Sequence, residues 1–216
     1  MGRRKNVKSA CLVLLGLWAL LAASPQLSAD TPGFPEFALG IGYAHIEVGG
    51  SSSQLHSMDA LRFDPDLSFS PFERLPELRL GAAFGVSLVL DNSSRTIISN
   101  GGTLIITGSS DVPFLLLEPE ARLSWRQSFG NSFFVEPGVG VGGAFGQLKL
   151  SSDTQSIDKW ASAFDARVFV NLGLAVTGGE AGLQLSYMHG GTMDFGQNAR
   201  GDLNQFYIGV YGAIWF

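Results

Sequence analysis

From residue 37 onward, apolar and polar positions alternate at period two. That is the repeat of a β-strand, whose successive side chains face opposite ways. Seven segments show it plainly: 37–48, 77–90, 114–126, 132–145, 160–176, 180–189 and 206–216. An eighth lies at 60–69, where Leu61, Phe63, Pro65, Leu67 and Phe69 take one face and Arg62, Asp64, Asp66 and Ser68 take the other. Tight glycine-containing turns at 127–131 and 177–179 fall on one side of this series, and the long connections 91–112, 146–159 and 190–205 fall on the other. The eighth strand brings both chain ends to the short-turn side. No helix is predicted beyond residue 29.

The two faces differ in kind. One carries Leu78, Leu80, Phe84, Val86 and Leu88, then Leu115, Leu117, Ala121, Leu123 and Trp125. It continues with Val135, Val139, Val141, Phe164, Val168, Val170, Leu172 and Leu174. The other carries Gly40, Gly42, Gly81, Gly85, Gly138, Gly140 and Gly142, and among them Arg62, Asp64, Asp66, Arg79, Glu118, Glu120, Arg122, Glu136, Asp165 and Arg167. A glycine-rich, sparsely charged face makes a poor soluble surface. It suits a narrow barrel lumen, in which small residues leave room for a few long charged ones. Aromatic residues on the apolar face fall at two levels. Phe37, Phe69, Trp125, Phe133 and Phe216 stand at the short-turn ends, and Tyr43, Phe145, Trp160, Tyr187 and Phe206 toward the long loops. Two aromatic bands are what the two membrane interfaces require.

Composition agrees. Of 216 residues only 15% are charged while 45% are hydrophobic, so neither a charged soluble enzyme nor a disordered chain fits. Residues 1–29 read as a cleaved secretory signal peptide. Arg3, Arg4, Lys5 and Lys8 precede an apolar stretch from Ala10 to Ala23, too short to span a membrane, and Leu27-Ser28-Ala29 offers cleavage near Ala29. A short lead, 30–36, then precedes the barrel, 37–216. Removing the four basic residues of the signal from the chain's fourteen leaves ten against 19 acids, a net −9, which argues against nucleic acid as a partner. The single cysteine, Cys11, lies in that signal, so no disulfide staples the mature chain.

The chain resembles the small bacterial outer-membrane β-barrels of the OmpA-transmembrane, OmpX and OmpW type over residues 37–216. The carrying element is the last strand, Phe206-Tyr207-Ile208-Gly209-Val210-Tyr211-Gly212-Ala213-Ile214-Trp215-Phe216, whose terminal Phe216 is similar to the assembly signal of that class. The resemblance implies an all-β, eight-stranded antiparallel up-and-down transmembrane barrel in the outer membrane of a Gram-negative-type envelope. Such barrels have even strand numbers. It also implies contact with outer-membrane lipids and lipopolysaccharide, and insertion by the barrel assembly machinery.

Candidate chemistry is sparse. The run Gly138-x-Gly140-x-Gly142-Gly143 lacks the strand–turn–helix setting of a dinucleotide site. His45, His56 and His189 are far apart, Asp64-Pro65-Asp66 lacks the rest of a calcium loop, and no metal or cofactor is expected. His189 is the one catalytic candidate. Its position resembles the His-x-Ser pair of lipid A deacylase barrels, but Gly191 stands where the serine would be. The expected function is that of a structural or surface-interaction barrel with a charge-plugged lumen. The alternatives are a deacylase-like enzyme or an OmpW-like conduit for small apolar solutes. In loop 91–112, Asn100-Gly101 between Thr96-Ile97-Ile98 and Leu104-Ile105-Ile106 predicts a ribbon continuing strands three and four, which could recruit an extracellular or envelope protein by strand addition. Counting outward from turns centred near Glu73 and Gly130 predicts the lumen pairs Asp66–Arg79 and Arg122–Glu136. Glu118, Glu120 and Asp165 are expected near Arg167 and Arg62.

Overall fold

In the computed structural model, residues 35–49, 58–91, 97–98, 104–105, 114–130, 132–151, 156–195 and 200–215 are described. The signal segment with Ala29 and Cys11, most of the lead, His56, most of loop 91–112 and Phe216 lie outside them.

Eight antiparallel strands close into an up-and-down barrel. They are β1 (Glu36–Gly49), β2 (Met58–Phe69), β3 (Leu78–Asp91), β4 (Phe114–Trp125), β5 (Phe133–Ser151), β6 (Ser156–Val176), β7 (Gly179–Asp194) and β8 (Arg200–Trp215). Each strand pairs with the next, and β1 closes on β8 in unbroken register from Glu36↔Trp215 to Gly49↔Asp202. Among the described residues each strand is thus paired on both sides, as a sheet that crosses lipid requires. Past Arg126, β4 continues as Gln127–Phe129 and meets β5 at Phe129↔Phe133. That hairpin turns at Gly130 with φ +67°, and the β6–β7 hairpin turns at Gly178 with φ +80°. A β-carbon strains such backbone, so glycine holds both tight turns.

Several strands outrun their sequence-predicted ends. β5 and β6 stay paired to Ser151↔Ser156, and β7 and β8 to Asp194↔Arg200 beyond a register shift between His189 and Thr192. The expected long connections 146–159 and 190–205 are therefore mostly strand. Backbone ladders hold these extensions, and a ladder needs no apolar alternation once the strands have left the lipid. Ile97–Ile98 pairs with Leu104–Ile105 in a separate two-stranded sheet.

The outer face is apolar. Phe37, Phe69, Trp125 and Phe133 are exposed at the turn end, and Tyr43, Phe145, Trp160, Tyr187 and Phe206 toward the loops. Between them stand Phe84, Val139, Val141, Val168, Leu183, Ile208 and Val210, all at least 40% exposed. A soluble protein does not display a continuous apolar belt of that size, whereas a bilayer removes the whole of it from water.

The lumen is packed, and its glycines make the space. A methyl built on Gly85 would strike the Arg62 guanidinium, one on Gly138 the Phe169 ring, and one on Gly173 the Phe134 ring and the Tyr211 hydroxyl.

Candidate functional site

The polar face of the strands converges on two tiers of charge, with an apolar layer above them at the loop end. The lower tier lies at the turn end. There Arg126 donates to Glu136 at 2.7 Å and to both oxygens of Glu180 at 2.7 and 2.8 Å, and its guanidinium lies 4.1 Å from the Phe134 ring centre. Arg79 donates to Glu36 at 2.8 Å and to Ser68 at 3.0 Å, and stands 3.5 Å from Glu136. Ser124 and Trp215 donate to Glu136 and Glu36 at 2.7 and 3.0 Å.

The upper tier is drier. Arg62, fully buried, donates to Asp64 at 2.9 Å, to Gln205 at 3.0 Å and to Glu118. Arg122 reaches Asp64 at 2.8 Å, Asp66 at 2.9 Å and Glu120 at 3.1 Å. Arg167 bonds Glu120 at 2.5 Å, Glu118 at 2.6 Å and Ser186 at 2.9 Å. Guanidiniums suit this role because their donors are fixed in a planar fork that serves several carboxylates at once. Asp165 is also buried, but among the described residues neither of its oxygens meets a donor. Between the tiers lies a polar cavity of about 30 Å³, lined by Glu36, Asp66, Arg122, Glu136, Glu180 and Gln184 among others, with room for about one water.

Two expected pairs are replaced. Asp66 pairs opposite Ala83, not residue 80, because the Ser70–Glu77 connection holds two successive turns, Leu75 N–Phe72 O and Leu78 N–Leu75 O. That shift carries Arg79 toward the turn end, to Glu36 and Glu136, and leaves Asp66 to Arg122. On the other hairpin, Arg122 opposes Gly140. Glu136 then falls at the level of Arg126, between the pairs Ser124↔Gly138 and Gln127↔Val135. Sequence reasoning missed Glu36, which precedes the first predicted segment, and passed over Arg126 and Glu180 at the ends of theirs, although both are in phase with the inward Arg122 and Gln184.

It also missed the apolar layer. Above the upper tier, Ile46, Val48, Leu116, Met188, Met193, Phe195 and Leu203 are buried to 1% exposure or less in one cluster with Ala44, Ala60 and Ala144. The register shift after His189 directs Met193 and Phe195 into this cluster. These residues close the loop end of the lumen.

His189 lies on the outer face, exposed, with its Nδ1 2.8 Å from Asn204 Oδ1. On the same face Tyr43 donates to Asp59 at 2.6 Å, and His45 stands 2.9 Å from Asp59 and 3.5 Å from Glu47. The structure therefore separates His189 from the lumen charges and places it in the polar rim above the upper aromatic band.

No protein-family model matches the chain, and no curated protein matches it. Among solved structures it is similar to Neisserial surface protein A, NspA, at 13% identity with a TM-score of 0.58, covering 83% of this chain and 97% of that one. It is also similar to Ail, the attachment invasion locus protein of Yersinia pestis, at 13% identity with a TM-score of 0.49, covering 85% of this chain and all of that one. The outer membrane protein OprG of Pseudomonas aeruginosa matches at 11% identity with a TM-score of 0.44, over 87% of this chain and 98% of that one. The likeness to NspA is one of fold, that of the small outer-membrane β-barrels the sequence resembles.

Proposed function

We propose that this barrel is a non-enzymatic integral protein of the outer membrane, closed to solutes, which acts through the loops it displays. The observation that supports this most is that side chains fill the lumen at both ends and in the middle, with a cavity for about one water between the two charged tiers. Two tiers of ion pairs occupy the lower and middle parts, and the buried cluster of Ile46, Leu116, Met188, Phe195 and Leu203 occupies the loop end. Eight strands enclose room for side chains or one small ligand, and here side chains take it. In this reading the apolar belt sits in lipid with lipopolysaccharide at the loop-side rim. The terminal strand with Phe216 engages the assembly machinery, and loop 91–112 meets an extracellular or envelope protein.

Purified barrel reconstituted into liposomes should give no swelling with small sugars and no ion conductance above empty vesicles. Sugar-driven swelling would overturn the closed-lumen reading. A second reading, a conduit for small apolar solutes, draws on one feature. The β6–β7 ladder ends at Asp165↔Gly190 although both strands run on. Faster uptake of an apolar dye into proteoliposomes than into empty vesicles would favour that reading. The deacylase alternative requires that expression shift the lipid A mass profile, and His189 on the outer rim leads us to expect no shift.

A further inference from the structure

We propose that the upper lumen tier binds one hard divalent cation, calcium before magnesium, between Glu118, Glu120 and Asp165. This goes beyond the loop-display reading and does not depend on it. One carboxylate oxygen from each of the three residues lies within 4.8 Å of the others, and all three side chains are buried. The decisive member is Asp165. It is 0% exposed, and among the described residues neither of its oxygens has a hydrogen-bond partner. Its cross-strand neighbours, Gly142 and Gly190, have no side chain to supply a donor. An ionised carboxylate so placed carries a large desolvation cost that something positive must offset.

Charge balance points the same way. Among the described residues of this tier, three guanidiniums (Arg62, Arg122, Arg167) face five carboxylates (Asp64, Asp66, Glu118, Glu120, Asp165). The deficit of two is the charge of one divalent ion. The donor set is all oxygen, which selects hard cations and disfavours zinc or copper. Calcium accepts irregular, bidentate carboxylate coordination, whereas magnesium keeps several waters that this packed tier has little room to house. Asp165 would bind with both free oxygens, while Glu118 and Glu120 would each share an oxygen with the ion and keep the other on Arg62, Arg167 or Arg122. The apolar layer above blocks entry once the barrel has closed, so the ion would load during folding.

The test is to refold the chain in detergent micelles with calcium, with magnesium, or with a chelator, and then to remove free metal by gel filtration. Wild type refolded with calcium should retain about one calcium per chain. Its folded band on unheated gels should survive to a temperature several degrees higher than in the chelator sample, with magnesium giving less. Asp165→Asn should retain no calcium and lose the calcium-dependent shift. The wild-type arm stands alone if that variant fails to fold. Wild type with no retained calcium and one melting temperature in all three buffers would overturn the proposal and assign the buried Asp165 a proton instead.

Discussion

Replacing Arg62 by Met is expected to destabilise the barrel by about 3–5 kcal/mol, the usual cost of removing one partner from a buried ion network. Arg62 is fully enclosed between Asp64, Glu118 and Gln205, with the Tyr207 ring centre 5.7 Å away and Gly85 leaving the gap its guanidinium fills. Methionine fills much of the same volume, so most of the loss comes from carboxylates left without their donor. That cause has its own check. Arg62→Met combined with Asp64→Asn removes one charge of each sign and leaves Arg122 with Asp66 and Glu120. The double variant should recover more than half of the lost stability. Chemical unfolding in micelles, followed by tryptophan fluorescence, measures both; a double variant no better than the single would mean that packing, not charge, holds this tier.

On the outer face the largest effect is expected from Val139→Arg. Val139 is 49% exposed, lies midway along β5 between Phe133 and Phe145, and pairs with the equally outward Val168. An arginine at the midplane of a lipid-facing strand costs about 2–4 kcal/mol. In lipid vesicles the variant should unfold at correspondingly lower denaturant, while Tyr187→Arg, in the loop-side aromatic band, should cost about 1 kcal/mol or less. Equal and negligible effects at both positions would mean that this face meets water.

Much of this was readable in advance because strand alternation is a local signal. Seven of the eight strands announced themselves in their own residues; the eighth, Ala60–Phe69, with a proline at its centre, kept its two faces but needed the strand count beside them. Closure added the constraint that fixed the count. The lumen was harder. Which charges face inward follows from period two, but which of them touch follows from register, and register depends on turns. A displacement of two or three residues at Ser70–Glu77 and at Gly130 exchanged Arg79, Arg122 and Arg126 among their carboxylates. The apolar layer was hidden for another reason. Ile46, Val48, Leu116 and Met188 sit on the inward face, where apolar residues look like breaks in the pattern until the tertiary structure brings them together. Phe195 lies just past the end of β7, beyond its register shift, where the phase read from 180–189 no longer applies.

The central claim is sidedness: apolar face to lipid, charged face to lumen. Cys11, the chain's one cysteine, lies in the segment expected to be removed, so single cysteines introduced into the mature barrel can carry spin labels without background. Labels at Val139, Leu183 and Val210 probe the outer face, and labels at Ala38 and Ser68 probe the lumen cavity. In bilayers, the outer labels should relax with dissolved oxygen and stay inaccessible to a water-soluble nickel chelate, while the lumen labels should be shielded from oxygen in the lipid. Outer labels open to the chelate, or lumen labels reporting hydrocarbon, would contradict the account.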